Sequence, residues 1–328
     1  MKAFLVSEVE GVLSCGVDEV EPTPKDPTDI LVQVDYSGVN FKDALVATPR
    51  SRVRRLAHIV GGVDAAGVIV ASSDPALPVG ARVAVHGGDM GVGRDGGFAQ
   101  FVYTTAQLVS HLAPALSTRD AMIIGTAGFT AMESVLALEA HGLDHEGEVL
   151  VTGATGGVGS LAVALLAAKG YRPVASTGSS DEAAWLQGLG ATRIIARDEI
   201  SDRPDRVLGS ERWSGAIDCI GGDTLHQILR SLRYGGAVAA SGLIAGTDLT
   251  TTIYPFITRA VSLLGVDSVE ATSATRARVW AALAEVAPSV DFDSLVDRVV
   301  TLEELPEALE SIRNGETRGR ILVNPTPG

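Results

Sequence analysis

Apolar positions in the first third of the chain fall in short runs of strand length. Lys2–Val6, Ile30–Val39, Val68–Ser72, Arg82–His86 and Phe98–Thr104 are β-branched or alternating, each bounded by Gly, Pro or Asp. Short strands at uneven spacing suggest a barrel-like or sandwich unit. From Ser117 the period changes: Ser117–Leu138 carries apolar residues at helical spacing, with Ser117 and Asp120 as a start signal. Strands and helices then alternate. Strand Glu148–Thr152 leads into helix Gly157–Lys169, closed by Gly170, and strand Pro173–Ser176 into helix Asp181–Leu189. Strands Arg193–Ala196 and Ala216–Ile220, helix Asp223–Leu232, and strands Ala237–Ser241 and Ser262–Val266 follow. This alternation predicts a parallel sheet covered on both faces, a doubly wound α/β domain. Helix Ala274–Val286, strand Leu295–Val300, helix Leu302–Arg313 and strand Arg318–Val323 rejoin the N-terminal set. The expected division is a β-rich domain over 1–121 and 269–328, interrupted by an α/β domain over 122–268.

Composition narrows the class. The chain has 328 residues, 46% hydrophobic and 20% charged, which suits two domains with large cores and argues against disorder. The formal net charge is −14, so nucleic acid and anionic membranes are poor partners. No uninterrupted apolar run reaches the ~18 residues of a membrane span, and Met1–Gly11 lacks a signal-peptide core; the expectation is a soluble, cytoplasmic protein. Cys15 and Cys219 alone cannot build a disulfide framework or a four-thiolate zinc site. The 37 glycines cluster between apolar runs, where tight turns and ligand contacts are made.

One cluster carries specific chemistry. The strand Val149–Thr152 runs into Gly153-Ala154-Thr155-Gly156-Gly157-Val158-Gly159, which opens a helix. In such a turn one glycine permits the reversal, the next lets backbone amides reach a pyrophosphate, and the last lets helix pack on strand. The pattern is GxxGxxG, and its place between strand and amphipathic helix predicts a dinucleotide site. An NAD site usually carries an acidic residue about twenty positions on. Here that stretch reads Ser176-Thr177-Gly178-Ser179-Ser180, with no carboxylate before Asp181, so NADP(H) is expected. Arg197 is placed to supply positive charge for a 2′-phosphate; a solvated strand-end Arg is the alternative. Gly242, Leu243 and Val266 follow strands whose carboxyl ends face ligand in an open α/β sheet, where backbone contacts to cofactor are expected.

Seven segments occur in order along nearly the whole chain: Ser37-Gly-Val-Asn-Phe-Lys-Asp-Ala-Leu45, Gly125-Thr-Ala-Gly-Phe-Thr-Ala-Met132, Val151–Gly159, Trp213-Ser-Gly-Ala-Ile-Asp218, Pro255-Phe-Ile-Thr-Arg259, Leu264-Gly-Val-Asp-Ser268 and Arg318-Gly-Arg320. With them the sequence resembles the zinc-independent quinone-oxidoreductase branch of the medium-chain dehydrogenase/reductase superfamily, and within it the acrylyl-CoA reductase type. The resemblance implies a GroES-like catalytic domain, a Rossmann-type cofactor domain, a cleft between them, NADPH, and a homodimer. It implies that Asn40 and Lys42 border the nicotinamide as catalytic residues, Asn40 also contacting cofactor. Thr126 and Thr130 would line the same pocket. Apart from the resemblance, Arg318 and Arg320 near the C-terminus are placed to add cofactor or substrate contacts. Phe41 stands where the family commonly has Tyr, which removes that hydroxyl as proton donor. Where zinc-dependent relatives carry a ligand Cys and a Gly-His-Glu, this chain has Val39-Asn40 and Gly62-Val63-Asp64, so no metal is expected.

Arg50, Arg52, Arg54 and Arg55 crowd into six residues. They read either as a solvated loop or as a clamp for the phosphates of coenzyme A. The expected reaction is NADPH-dependent reduction of acrylyl-CoA to propionyl-CoA, without a metal. Reduction of a quinone or free enone is the second reading, and a non-catalytic NADPH-binding sensor the reading from a different class.

Overall fold

In a computed structural model, residues 1–201 and 206–326 are described. They form two compact units: Met1–Thr126 with Ser268–Ala287 and Leu295–Gly328, and Ala127–Asp267 with Pro288–Ser294.

The first unit opens with β1 (Lys2–Val9) and β2 (Val12–Glu19), paired antiparallel through a two-residue turn. Glu10 and Gly11 both have positive φ there, 51° and 80°. That is the conformation whose twist matches a hairpin. β3 (Ile30–Val39) leads into the short helix α1 (Phe41–Val46), then β4 (His58–Val60), β5 (Asp64–Ala71), β6 (Arg82–His86), β7 (Phe101–Thr104) and β8 (Val109–His111). Ile30, Val32 and Val34 on β3, Ala65 and Ile69 on β5, and Val83 and Val85 on β6 turn inward to one core. Alternation along each strand supplies that core. A second core gathers Phe4, Val39, Ala44, Val46, Ile59 and Phe98. The Ala44 and Val46 side chains in it seat α1, burial of the valine being worth about 1.5–3 kcal/mol and of the alanine methyl about 0.8 kcal/mol.

α2 (Thr118–Ala140) is long and apolar enough to cross a bilayer, yet most of it is buried inside the protein. The periodicity predicts an unbroken helix here, but Gly125 has φ 48° and ψ −157°, outside helical space. Only a residue without a Cβ adopts this readily.

The second unit is the alternating one. β9 (Glu148–Thr152), α3 (Gly157–Ala168), β10 (Arg172–Ser176), α4 (Ala183–Gly188), β11 (Arg193–Ile195), β12 (Trp213–Asp218), α5 (Gly222–Leu229), β13 (Leu232–Ala240), α6 (Tyr254–Arg259) and β14 (Ser262–Gly265) follow in turn. The sheet order is β11-β10-β9-β12-β13-β14, every pair parallel. The order reverses between β9 and β12, so the carboxyl ends of these strands define a crevice for ligand. Leu150, Val174, Trp213, Ala216, Ile228 and Val238 fill its core.

The chain returns to the first unit through α7 (Ser273–Val286), β15 (Val296–Val300), α8 (Leu305–Asn314) and β16 (Arg320–Val323). β16 pairs with β3, Ile321 opposite Val39, and α8 adds Leu305, Ala308 and Leu309 to the core that holds α1.

Candidate active site

The turn after β9 shows why three glycines are needed. Gly153 has φ 59°, and a Cβ on Gly159 would sit 2.2 Å from the Gly153 carbonyl oxygen. At Gly156, which caps α3 with φ −78°, a Cβ would meet only the Gly153 oxygen, at 3.4 Å. Gly156 therefore borders open space. The first amides of α3 (Gly157, Val158 and Gly159) have no acceptor within the helix and carry its positive end. Thr155, Gly157 and Val158 are half-exposed around that space. Free amides at a helix N-terminus of this kind attract anions.

Neighbouring loops are tied to it. Ala154 N–H donates to the Ser176 carbonyl (3.2 Å), joining the turn to β10. Thr152 Oγ1 donates to buried Asp218 (2.6 Å), which accepts from Ile220 N–H (3.2 Å) and Gly221 N–H (2.9 Å). Burial raises the Asp218 pKa, and these donors oppose the shift. A Cβ on Gly242 would lie 1.9 Å from the Cys219 carbonyl carbon, so the loops after β12 and β13 pack backbone on backbone. Leu243 beyond it is exposed, and Val266, half-exposed after β14, donates to Ala240 O (3.1 Å).

At the end of β10, Ser176 and Thr177 are buried while Gly178 and Ser179 are exposed; Ser179 N–H donates to Thr177 Oγ1 (3.0 Å). The Arg197 guanidinium lies directly over Gly178: a Cβ there would be 2.8 Å from Cζ and 2.9 Å from Nε. From Ser176 to Ser180 the loop carries no Asp or Glu. Gly178 was not singled out from sequence, since its part depends on Arg197 nineteen positions away.

In the first unit, the segment around Asn40 is buried and strongly hydrogen-bonded. Asn40 Nδ2 donates to Asp64 Oδ2 (2.9 Å) and to the Gly38 carbonyl (3.2 Å), while its Oδ1 accepts from Arg320 (3.1 Å). Asp43 Oδ2 accepts from Asn40 N–H (2.8 Å) and its Oδ1 from Val63 N–H (2.9 Å). Burial, followed by the neighbouring Asp64 charge, lifts the Asp43 pKa to about 7. Burial lowers the pKa of Arg320, against the pull of Asp64 and Asp43. Lys42 is half-buried on α1. Among the described residues no three His, Cys, Asp or Glu side chains converge as metal ligands. Asp64 has neither Cys nor His bonded to it, and its oxygens take Gly38 N–H, Asn40 and Thr126 N–H, so this donor set does not fit a zinc ion. In the sequence Asp64 figured only in the comparison with a zinc-ligand set; its bonds to Gly38, Asn40 and Thr126 were not legible there.

The arginine run is divided by burial. The Arg54 side chain is 4% exposed, ion-paired with Glu8, and donates to the Val46 carbonyl (2.5 Å) at the end of α1. It is a structural strut, whereas Arg50, Arg52 and Arg55 are exposed. Thr126 gives its N–H to Asp64 (2.9 Å), Thr130 is buried one turn on, and Arg318 is exposed before β16.

A chain with one unit that is a parallel sheet with a glycine turn at its switch point, and another that is β-rich and built on β3 and β16, is an NAD(P)-dependent oxidoreductase. The chain belongs to the medium-chain dehydrogenase/reductase superfamily, in its quinone-oxidoreductase-like branch. Residues 26–114 match the family "Alcohol dehydrogenase GroES-like domain" and residues 157–285 "Zinc-binding dehydrogenase". Among relatives, "Putative quinone oxidoreductase YhfP" of Bacillus subtilis is 43% identical over 92% of each chain. "Acrylyl-CoA reductase AcuI" of Ruegeria pomeroyi is 42% identical over 97% of this chain and 96% of its own. The yhdH oxidoreductase of Salmonella enterica, solved in complex with NADP, is 40% identical over 99% of this chain and all of its own, with a TM-score of 0.94. The Bacillus subtilis yhfP structure has NAD bound and superposes with a TM-score of 0.95 over 98% of each chain, at 40% identity.

Proposed function

We propose that this chain reduces the carbon–carbon double bond of a short 2-enoyl-CoA, acrylyl-CoA to propionyl-CoA, with NADPH. The observation that carries the cofactor choice is the Arg197 guanidinium lying over Gly178 where no carboxylate guards the ribose. The acrylyl-CoA reductase relative and the exposed cations Arg50, Arg52 and Arg55 support the thioester. Bound NADPH would supply hydride to the β-carbon, the charge passing to the thioester oxygen. The amides of α3 would hold its pyrophosphate, and Ser176, Thr177, Ser179 and Arg197 the phosphorylated ribose. Asn40 would accept a hydrogen bond from cofactor or substrate. Lys42 would place its ammonium toward the developing enolate and, since Phe41 offers no hydroxyl, Lys42 or solvent would supply the proton that the α-carbon gains.

Reduction of a quinone is the second reading, favoured by the equally similar Bacillus subtilis relative. Loss of NADPH absorbance with acrylyl-CoA, crotonyl-CoA, a free enone and a quinone separates the two. Turnover confined to the thioesters, and a KM for them raised by Arg52→Ala and Arg55→Ala, supports the first. Turnover of quinones, indifferent to those changes, supports the second. Arg197→Ala is expected to weaken NADPH about tenfold and leave NADH unaltered, as loss of one charge-assisted phosphate contact predicts. Equal effects on both coenzymes would refute the phosphate seat.

The cytoplasm and a homodimer complete the proposal. β14 is an edge strand of the six-stranded sheet, with Leu263 39% exposed on it and Ile257 69% exposed on α6. Light scattering at twice the chain mass would support pairing along that edge.

A further inference from the structure

The break in α2 lies in the protein interior, where freed backbone donors and acceptors need partners. One buried ion pair provides them. Thr126 N–H donates to Asp64 Oδ2 (2.9 Å), and Arg320 Nε donates to the Ile123 carbonyl (3.0 Å), its second nitrogen lying 3.5 Å from the Met122 carbonyl. Asp64 and Arg320 stand 3.8 Å apart, with side chains 0% and 2% exposed. Both glycines beside them are obligatory. A Cβ on Gly38 would be 2.5 Å from the Arg320 guanidinium, and one on Gly125 2.6 Å from Asp64 Oδ2 and 2.8 Å from Arg320.

The same pair grips Asn40 from two sides. The carboxylate takes an amide hydrogen and the guanidinium faces the amide oxygen. Rotating that amide by half a turn would aim NH2 at a cation and oxygen at an anion, so one orientation survives. Both Nδ2 hydrogens are then engaged, by Asp64 and by the Gly38 carbonyl, and one lone pair of Oδ1 remains.

We infer that Asp64 and Arg320 are positioning residues for the reaction: their ion pair clasps the broken turn of α2 at Thr126 and locks Asn40 as a hydrogen-bond acceptor toward its ligand. A ligand hydroxyl or N–H is the complementary group. The inference rests on the reading of Asn40 as a site residue.

Asp64→Asn is the discriminating change, because it keeps the shape while cancelling the charge and setting an NH2 against a donor: Gly38 N–H in one amide orientation, Thr126 N–H and the Asn40 amide in the other. It should lower kcat about tenfold or more, the scale of a sub-ångström misplacement, with the KM for NADPH within about twofold. Asn40→Ala should lower kcat comparably, and the double variant should lose no more than Asn40→Ala alone. Amide hydrogen exchange of Thr126 and Asn40 should quicken in Asp64→Asn while the amides of β9 keep their protection. In Arg320→Ala, added guanidinium should restore kcat. Additive losses in the double variant, wild-type kcat in Asp64→Asn, or unchanged exchange at Thr126 would each overturn the inference. Exchange reads the clasp without turnover, so a wild-type protein inert toward every acceptor would defeat the proposed reaction while the clasp stood or fell separately.

Discussion

Arg54 and its neighbours Arg52 and Arg55 are indistinguishable as letters; Glu8, forty-six positions away, separates them by burying one guanidinium against its carboxylate. Removing one partner of a buried pair leaves the other charge uncompensated, so Arg54→Ala should destabilise by about 3 kcal/mol. Arg52→Ala and Arg55→Ala should stay within about 0.5 kcal/mol, as exposed sites do, both measured by urea unfolding. Asp43 makes a different prediction. Its folded pKa of about 7 exceeds the unfolded carboxylate value, so the folded chain holds the proton more tightly. The stability this contributes is fully present below the unfolded pKa and is lost as pH rises through the folded one. The pH dependence of unfolding between about pH 4 and about pH 7 should therefore flatten in Asp43→Asn. An unchanged slope would show that the titration near neutrality belongs to another group. None of this was legible in the sequence, since the shift comes from burial and from Asp64, twenty-one residues along the chain.

Elements were legible where one physical cause sets them. The second unit's strands and helices follow from apolar periodicity, and its glycine turn is read correctly because strand, turn and helix are contiguous. The misreadings share a tertiary origin. β5 begins at Asp64 rather than Val68, because a carboxylate enters a strand once Gly38, Asn40 and Thr126 satisfy it. The hairpin of β1 and β2 turns on Glu10-Gly11, without the Asn-Gly signal, and β2 was missed with it. The turn before α3 offers a contrast of two substitutions. Gly159→Ala would drive a Cβ into the Gly153 carbonyl, and should cost about 1–3 kcal/mol as overpacking does, together with NADPH binding. Gly156→Ala fits the backbone and should leave the melting temperature unchanged or higher, while its methyl occupies the space before the α3 amides and weakens NADPH about tenfold. Calorimetric melting and titration of the two variants check both halves; a loss of stability in Gly156→Ala would show that the turn is strained there.

At the scale of the molecule, the switch from strands to alternating strands and helices was legible as a change of period along the chain, and the placement of β16 beside β3 was not, because nothing local specifies a partner so distant. Arg320 reaches the Val39 carbonyl across 281 positions, and the whole six-stranded sheet lies between them in sequence. The consequence concerns birth on the ribosome. Chains emerge amino end first, and compact units form as they appear. The dinucleotide unit's sheet is complete while β3 still waits for the final strand to leave the exit tunnel. A nascent chain arrested at Val300 should yield a protease-resistant fragment spanning 127–267 and a readily cut β3, with protection of β3 arriving only after release. Asn40 thus acquires its fixed orientation among the last events of biosynthesis.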